Sequence, residues 1–112
     1  MSAEIIVLGS LNMDLVVKAE RAPEAGETLS GYFFQTIPGG KGANQAAAAA
    51  KLGGDVAMVG RVGQDDFGAR LTSSLNDVGA NTSAVKIDPT QSTGIAMITV
   101  DDAGENRILI VA

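Results

Sequence analysis

The stretch from Ile37 to Gly54, IPGGKGANQAAAAAKLGG, decides how this chain is read. Gly39, Gly40 and Gly42 surround Lys41 and open directly into an alanine run, with Asn44 on its first turn. Residues without a Cβ let the backbone turn sharply and come close to a ligand. The unpaired N–H groups at a helix start then point at whatever lies in front of them. Asn44 adds an amide donor and acceptor, and Lys41 a mobile positive charge. A polar, hydroxyl-rich or anionic small molecule suits that setting. Glycines alone are equally compatible with a plain strand-to-helix turn.

Two common nucleotide motifs fail on inspection. A Walker A loop needs Ser or Thr after Gly-Lys, but Gly42 follows Lys41, and the upstream glycine position holds Gln35. A dinucleotide fingerprint should follow the first strand, yet after EIIVLG the chain reads SLNMDL, with no further glycines.

Working outward, residues 4–8 read as a buried strand ended by Gly9. In 10–18, Leu11, Met13, Leu15 and Val17 share one face, while Asn12, Asp14, Val16 and Lys18 share the other. Residues 21–28, with Pro23 and Gly26, form a loop, and 29–37 a strand carrying Tyr32, Phe33 and Phe34. The helix over 42–52 ends at Gly53 or Gly54. A strand follows at 55–62, then a helix over 66–78, capped by Asp65 or Asp66, with Phe67, Leu71, Leu75 and Val78 on one stripe. A short strand at 83–87 precedes a hairpin of 93–100 and 106–111 around Gly104. The alternation of strand and helix over 4–8 and 42–87 predicts a parallel α/β sheet. The other four strands have no helices between them and predict a second, small sheet.

Composition narrows the chemistry. A chain of 112 residues with 46% apolar residues can bury one modest core. Its formal charge of −5, with only eight scattered Lys and Arg, argues against nucleic acid and anionic membrane as partners. Without Cys or His there is no disulfide, no thiolate or imidazole metal site and no His-based triad. A reducing cytoplasm fits the lack of Cys. The chain starts without a secretory signal and carries no apolar run of ~20 residues. Its end, NRILIVA, stops inside an expected strand, so the sequence reads as the N-terminal portion of a longer protein.

Five motifs in order, GSLNMDL, PEAGETL, PGGKGANQAAAAAKLG, VGRVGQDDFG and STGIAMITVDDAGENRI, resemble the ribokinase-like (PfkB) carbohydrate kinases. The likeness runs from Ile5 to Val111. It implies a Rossmann-like α/β body, about 4–8 and 42–87, and a β-sheet lid of strands about 10–18, 29–37, 93–100 and 106–111. It implies that Asn12 and Asp14 hydrogen-bond sugar hydroxyls together with Gly40, Lys41 and Asn44, and that Ala96 and Ile98 pack on the sugar. The period of two puts Asn12 and Asp14 on one strand face, where both can address one ligand.

The reaction implied is transfer of the ATP γ-phosphoryl group to the primary hydroxyl of D-ribose, giving ribose 5-phosphate, with Mg²⁺ and a monovalent cation such as potassium. In this family the catalytic aspartate, the anion hole, the ATP site and the cation loops lie in the C-terminal half. None has a counterpart here, so no catalytic or metal-binding residue is assigned to this chain, which on its own is expected to be inactive. Another family member acting on a nucleoside or fructose is the alternative within the enzyme class. A non-catalytic sugar-binding or lid module is the alternative outside it. Family members pair through their lids, and the face bearing Leu11, Met13, Leu15 and Val17, taken as the outer one, predicts a lid-to-lid homodimer.

Overall fold

In the computed structural model, which describes residues 3–112, the chain runs β1 (Ile5–Leu8), β2 (Asn12–Lys18), β3 (Phe33–Gly39), α1 (Lys41–Lys51), β4 (Val56–Gly63), α2 (Asp66–Asp77), β5 (Asn81–Asp88), β6 (Gly94–Val100) and β7 (Asn106–Val111). These strands sort into two sheets. One is parallel, in the order β1-β4-β5, and the other is mixed, in the order β3-β2-β6-β7. The chain is therefore α/β.

The parallel sheet is built around β4, whose Val56, Ala57 and Met58 are buried. A valine-rich run suits a strand flanked on both edges. Helix α1 packs on β4 and β1 through Gly42, Ala43 and Ala46, side chains small enough to bring its backbone close. Helix α2 turns Leu71 and Leu75 inward, with Phe67 beside them. Gly53 and Gly79, both at positive φ, follow the helix ends. Strand β1, expected from its apolar run to be buried, is not: it lies at the sheet edge with Ile5, Ile6 and Leu8 exposed.

In the mixed sheet β2 is the central strand, antiparallel to β3 and parallel to β6. The 93–100 and 106–111 hairpin forms as β6 and β7, closed by a bond from Asp101 N to the Glu105 carbonyl (3.0 Å), with Gly104 at φ +81°. Register places Asn12 between Gly39 and Gly94, Asp14 between Ile37 and Ala96, and Val16 between Gln35 and Ile98. Those residues share one face of the sheet.

Several expected boundaries move. The strand expected at 29–37 begins at Phe33 and runs on to Gly39, so that β3 leads directly into the glycine turn. Pro38 is tolerated there because β3 is an edge strand. Ser10 stays outside β2, since its carbonyl accepts the Ala43 N–H at the start of α1 (3.0 Å).

The face carrying Leu11, Met13 and Leu15 is not an outer face. Met13 is fully buried, Leu11 nearly so, and Leu15 packs against the same core, together with Leu71 and Leu75 of α2. A period of two shows that two faces differ, not which neighbour covers each. The apolar stripe of α2 covers this one, and burying Met13 contributes about 1.5–3 kcal/mol. Charges at Met13 and Leu15 would break the core before they tested any association.

Candidate functional site

The glycine turn places the start of α1 against the connection from β1 to β2. Gly40 is the N-cap, at φ 96° and ψ 136°, with no side-chain cap bond. A Cβ built on Gly40 would stand 2.5 Å from the Ser10 carbonyl oxygen, and one on Gly42 2.6 Å from the Gly9 Cα. No side chain fits at either point. The first intrahelical bond runs from Asn44 N to the Gly40 carbonyl (2.9 Å), and Ala43 N is taken by Ser10. The N–H groups of Lys41 and Gly42 have no acceptor among the described residues.

Beside this turn lies Asp14. Its two carboxylate oxygens would stand 2.7 and 2.8 Å from a Cβ on Gly39, so any side chain there would make the carboxylate move. The side chain is half-buried, and no N–H or O–H among the described residues donates to it. Burial alone pushes its carboxyl up from the usual carboxylate value. Asn12, one step of two away, lies against Gly94, whose Cβ would stand 2.5 Å from Asn12 Oδ1. An unpaired acceptor and an amide on one face form a surface for a ligand bearing several hydroxyl groups.

Of the residues nominated from the sequence, Asn12, Asp14, Ala96 and Ile98 stand together on adjacent strands, with Gly40 one residue beyond Gly39. Ala96 is buried and Ile98 half-buried. Lys41 and Asn44 are exposed at the head of α1, and their side chains make no hydrogen bond among the described residues. A cleft of about 370 Å³ opens between the two sheets, lined by Gly9, Ser10, Asn12, Asp88, Gln91 and Gly94, among others. Its volume falls in the range of small-ligand sites.

The sequence reading missed the partners of these side chains. Gly39 and Gly94 are the floor under Asp14 and Asn12, a fact only strand register reveals. Asp65 is the cap of α2, accepting from Gly68 N (2.8 Å), but it also binds Thr93, 28 residues later. Those bonds, the Thr93 hydroxyl first and its N–H second, hold the Asp65 carboxyl below the usual range.

The pattern of the pfkB family carbohydrate kinases matches residues 2–112. Ribokinase of Bacillus subtilis (strain 168) is 47% identical over 107 residues, covering 96% of this chain and 36% of that protein. Deoxyribokinase of Salmonella typhimurium (strain LT2) is 43% identical over 108 residues, covering 96% and 35%. The structure of Arabidopsis thaliana ribokinase complexed with ribose and ATP superposes with a TM-score of 0.90 at 41% identity, covering 99% of this chain and 36% of that one. The chain thus spans about a third of the length of the relatives it matches.

Proposed function

The chain belongs to the pfkB family of carbohydrate kinases, and from that premise we propose that it is the sugar-binding part of an ATP-dependent pentose kinase. The single observation that carries the proposal is Asp14, a half-buried carboxylate with no donor among the described residues, beside Asn12 and the buried Ala96. Such a carboxylate accepts hydrogen bonds from two sugar hydroxyls, and the amide of Asn12 bonds a third group. Ala96 and Ile98 pack on the sugar ring, while Gly40, Lys41 and Asn44 present the backbone and side-chain donors of the turn. The mixed sheet serves as the lid.

The reaction of the whole protein is attack of the primary hydroxyl of D-ribose on the γ-phosphorus of ATP. The new P–O bond gives ribose 5-phosphate, the β,γ-bridging bond breaks to release ADP, and the hydroxyl proton passes to a base. Positioning and charge stabilisation dominate such transfers. This chain orients the sugar. Among the described residues no three His, Cys, Asp or Glu side chains gather as a metal site, so Mg²⁺ and the monovalent cation are not assigned to them. ATP as co-substrate points to the cytoplasm as the working compartment.

The test is phosphorylation by the whole protein of D-ribose beside 2-deoxyribose, fructose and nucleosides. Preference for D-ribose supports the proposal. Preference for 2-deoxyribose, the substrate class in the name of one relative, moves the assignment to that sugar, and no turnover on any of them refutes it. The pH dependence supplies a second check. Binding needs the Asp14 carboxylate, whose pKa burial raises above the usual carboxylate value. Affinity for ribose is therefore expected to fall as pH drops through that raised pKa. In Asp14→Asn the weakened binding should be flat across the same window. A wild-type affinity as flat as that of Asp14→Asn while pH falls through the carboxylate range, by calorimetry, would contradict the assignment.

The whole enzyme is a homodimer joined through its lids, by a face other than the one covered by α2. On the Asp14 side, Phe33, Ile37, Ile108 and Ile110 are exposed large apolar residues, more than an isolated sheet face leaves to water. A two-fold axis lets such a patch cover itself. Ile108→Lys in the whole protein is expected to shift the sedimentation coefficient from dimer to monomer. A dimer that survives it places the contact elsewhere.

A further inference from the structure

We propose that Asp65 is a positioning residue for the sugar, acting through Thr93 to fix where the strand carrying Ala96 and Ile98 begins. The inference rests on the reading of the lid face as the sugar site. Asp65 belongs to the turn between β4 and α2, on the parallel sheet's side, whereas Thr93 immediately precedes β6 of the mixed sheet. Four hydrogen bonds knot them. The Thr93 hydroxyl donates to Asp65 Oδ1 (2.5 Å), and Thr93 N donates to Oδ2 (2.8 Å). Gly68 N donates to Oδ1 (2.8 Å), and Gly63 N donates to the Thr93 hydroxyl oxygen (2.9 Å). Each polar atom has a defined direction, so the knot admits one arrangement.

Packing closes it further. Thr93 is 4% exposed. A Cβ on Gly63 would stand 2.5 Å from Thr93 N, and one on Gly68 3.0 Å from the Thr93 hydroxyl. The residue after Thr93 is Gly94, the floor under the Asn12 side chain, and two further on is Ala96, paired with Asp14. Asp65 therefore reaches both polar side chains of the site by a short path: hydrogen bonds to Thr93, three residues of chain to Ala96, and strand pairing with Asn12 and Asp14. A second bond between the same helix and the lid, from Arg70 Nη2 to Thr36 Oγ1 on β3 (2.7 Å), keeps the far edge in place. By hydrogen bonds α2 and its cap thus hold the lid at two points, and the Asp65 point is the one at the start of β6.

The experiment uses the whole protein and steady-state kinetics with D-ribose and ATP. Thr93→Val keeps the shape and the cap of α2 but removes the hydroxyl. It is expected to raise KM for ribose roughly ten- to a hundredfold, as a displaced binding group does. KM for ATP should stay within about twofold, because this path does not lead to the nucleotide. Thr93→Ser, which keeps the hydroxyl, should return ribose KM close to wild type. Asp65→Asn keeps one acceptor oxygen for the cap and should match Thr93→Val, and the double variant should be no worse than either. Should Thr93→Val fail to fold, Asp65→Asn and Thr93→Ala carry the same comparison. A fall in thermal midpoint with ribose KM unchanged in the folded enzyme overturns the inference, since a purely structural knot would behave so. Asp14→Asn, run in parallel, separates the two levels. If it loses ribose while the Asp65 and Thr93 variants keep it, only the joint is wrong. If it too keeps ribose, the sugar site itself is misplaced and the joint falls with it.

Discussion

Replacing Asp14 by alanine in the whole protein is expected to lower kcat/KM for D-ribose by roughly two to four orders of magnitude while leaving the thermal midpoint undiminished. Two charge-assisted hydrogen bonds to sugar hydroxyls, at ~1.5–3 kcal/mol each, set the size of the loss. The stability half follows from the sign of the pKa shift. Burial raises the Asp14 carboxyl, and no donor offsets it. A raised carboxyl favours folding only in its protonated form, so that contribution is present below the unfolded pKa and gone once pH rises through the folded one. At neutral pH the charged side chain is therefore a cost to the fold, relieved by the substitution. Asp65 has the opposite sign. Its lowered carboxyl contributes stability above the unfolded pKa that is lost as pH falls through the folded value. At neutral pH the first charge is left without a protein donor among the described residues, and the second is held by bonds of the fold. Steady-state kinetics and thermal unfolding of Asp14→Ala measure both halves, and near-normal kcat/KM for ribose would remove Asp14 from the site.

That contrast marks what the sequence could show. The glycine turn, the alanine helix and the 66–78 stripe were legible because each is local: a period of 3.6, a missing Cβ, a cap within three residues. The pairing of Asn12 with Asp14 was legible for the same reason, since a strand's period of two needs no partner. What lay beyond reach was long-range. Nothing in Leu11 and Met13 says that α2, more than fifty residues on, covers their face, so they read as an outer patch. Nothing in Asp65 says that the carboxylate capping α2 also accepts from the Thr93 hydroxyl and N–H. Gly39 reads as a turn glycine, and the space it leaves for the Asp14 carboxylate, like that of Gly94 for Asn12, exists only in the packing of neighbouring strands.

Glycine-to-alanine substitutions around the turn are expected to separate two causes that coincide at its centre. Gly53 has φ +90° but nothing within 4 Å of an added Cβ. Alanine there bears only the conformational cost, about 1–2 kcal/mol. Gly42 lies inside α1, where alanine should gain up to ~1 kcal/mol of helix propensity. Its Cβ, however, would meet the Gly9 backbone at 2.6 Å, and backbone cannot swing away as a side-chain tip does. Overpacking of that kind costs ~1–3 kcal/mol or more, so the net sign reverses. Gly40 combines both, with φ +96° and a Cβ 2.5 Å from the Ser10 carbonyl. Strain of ~1–3 kcal/mol adds to a clash of similar size, against the ~5–15 kcal/mol that holds a typical domain. Gly40→Ala should therefore be the most damaging of the three by chemical denaturation of the whole protein, and Gly53→Ala the mildest. Ribose binding should follow the clash and not the φ angle. It should fail in Gly40→Ala and Gly42→Ala, because pushing α1 off Ser10 moves Lys41 and Asn44, and it should survive in Gly53→Ala, at the far end of the helix. Equal losses of stability at all three, or ribose affinity intact in Gly42→Ala, would show that the close approach of α1 to the β1–β2 connection does not set the site.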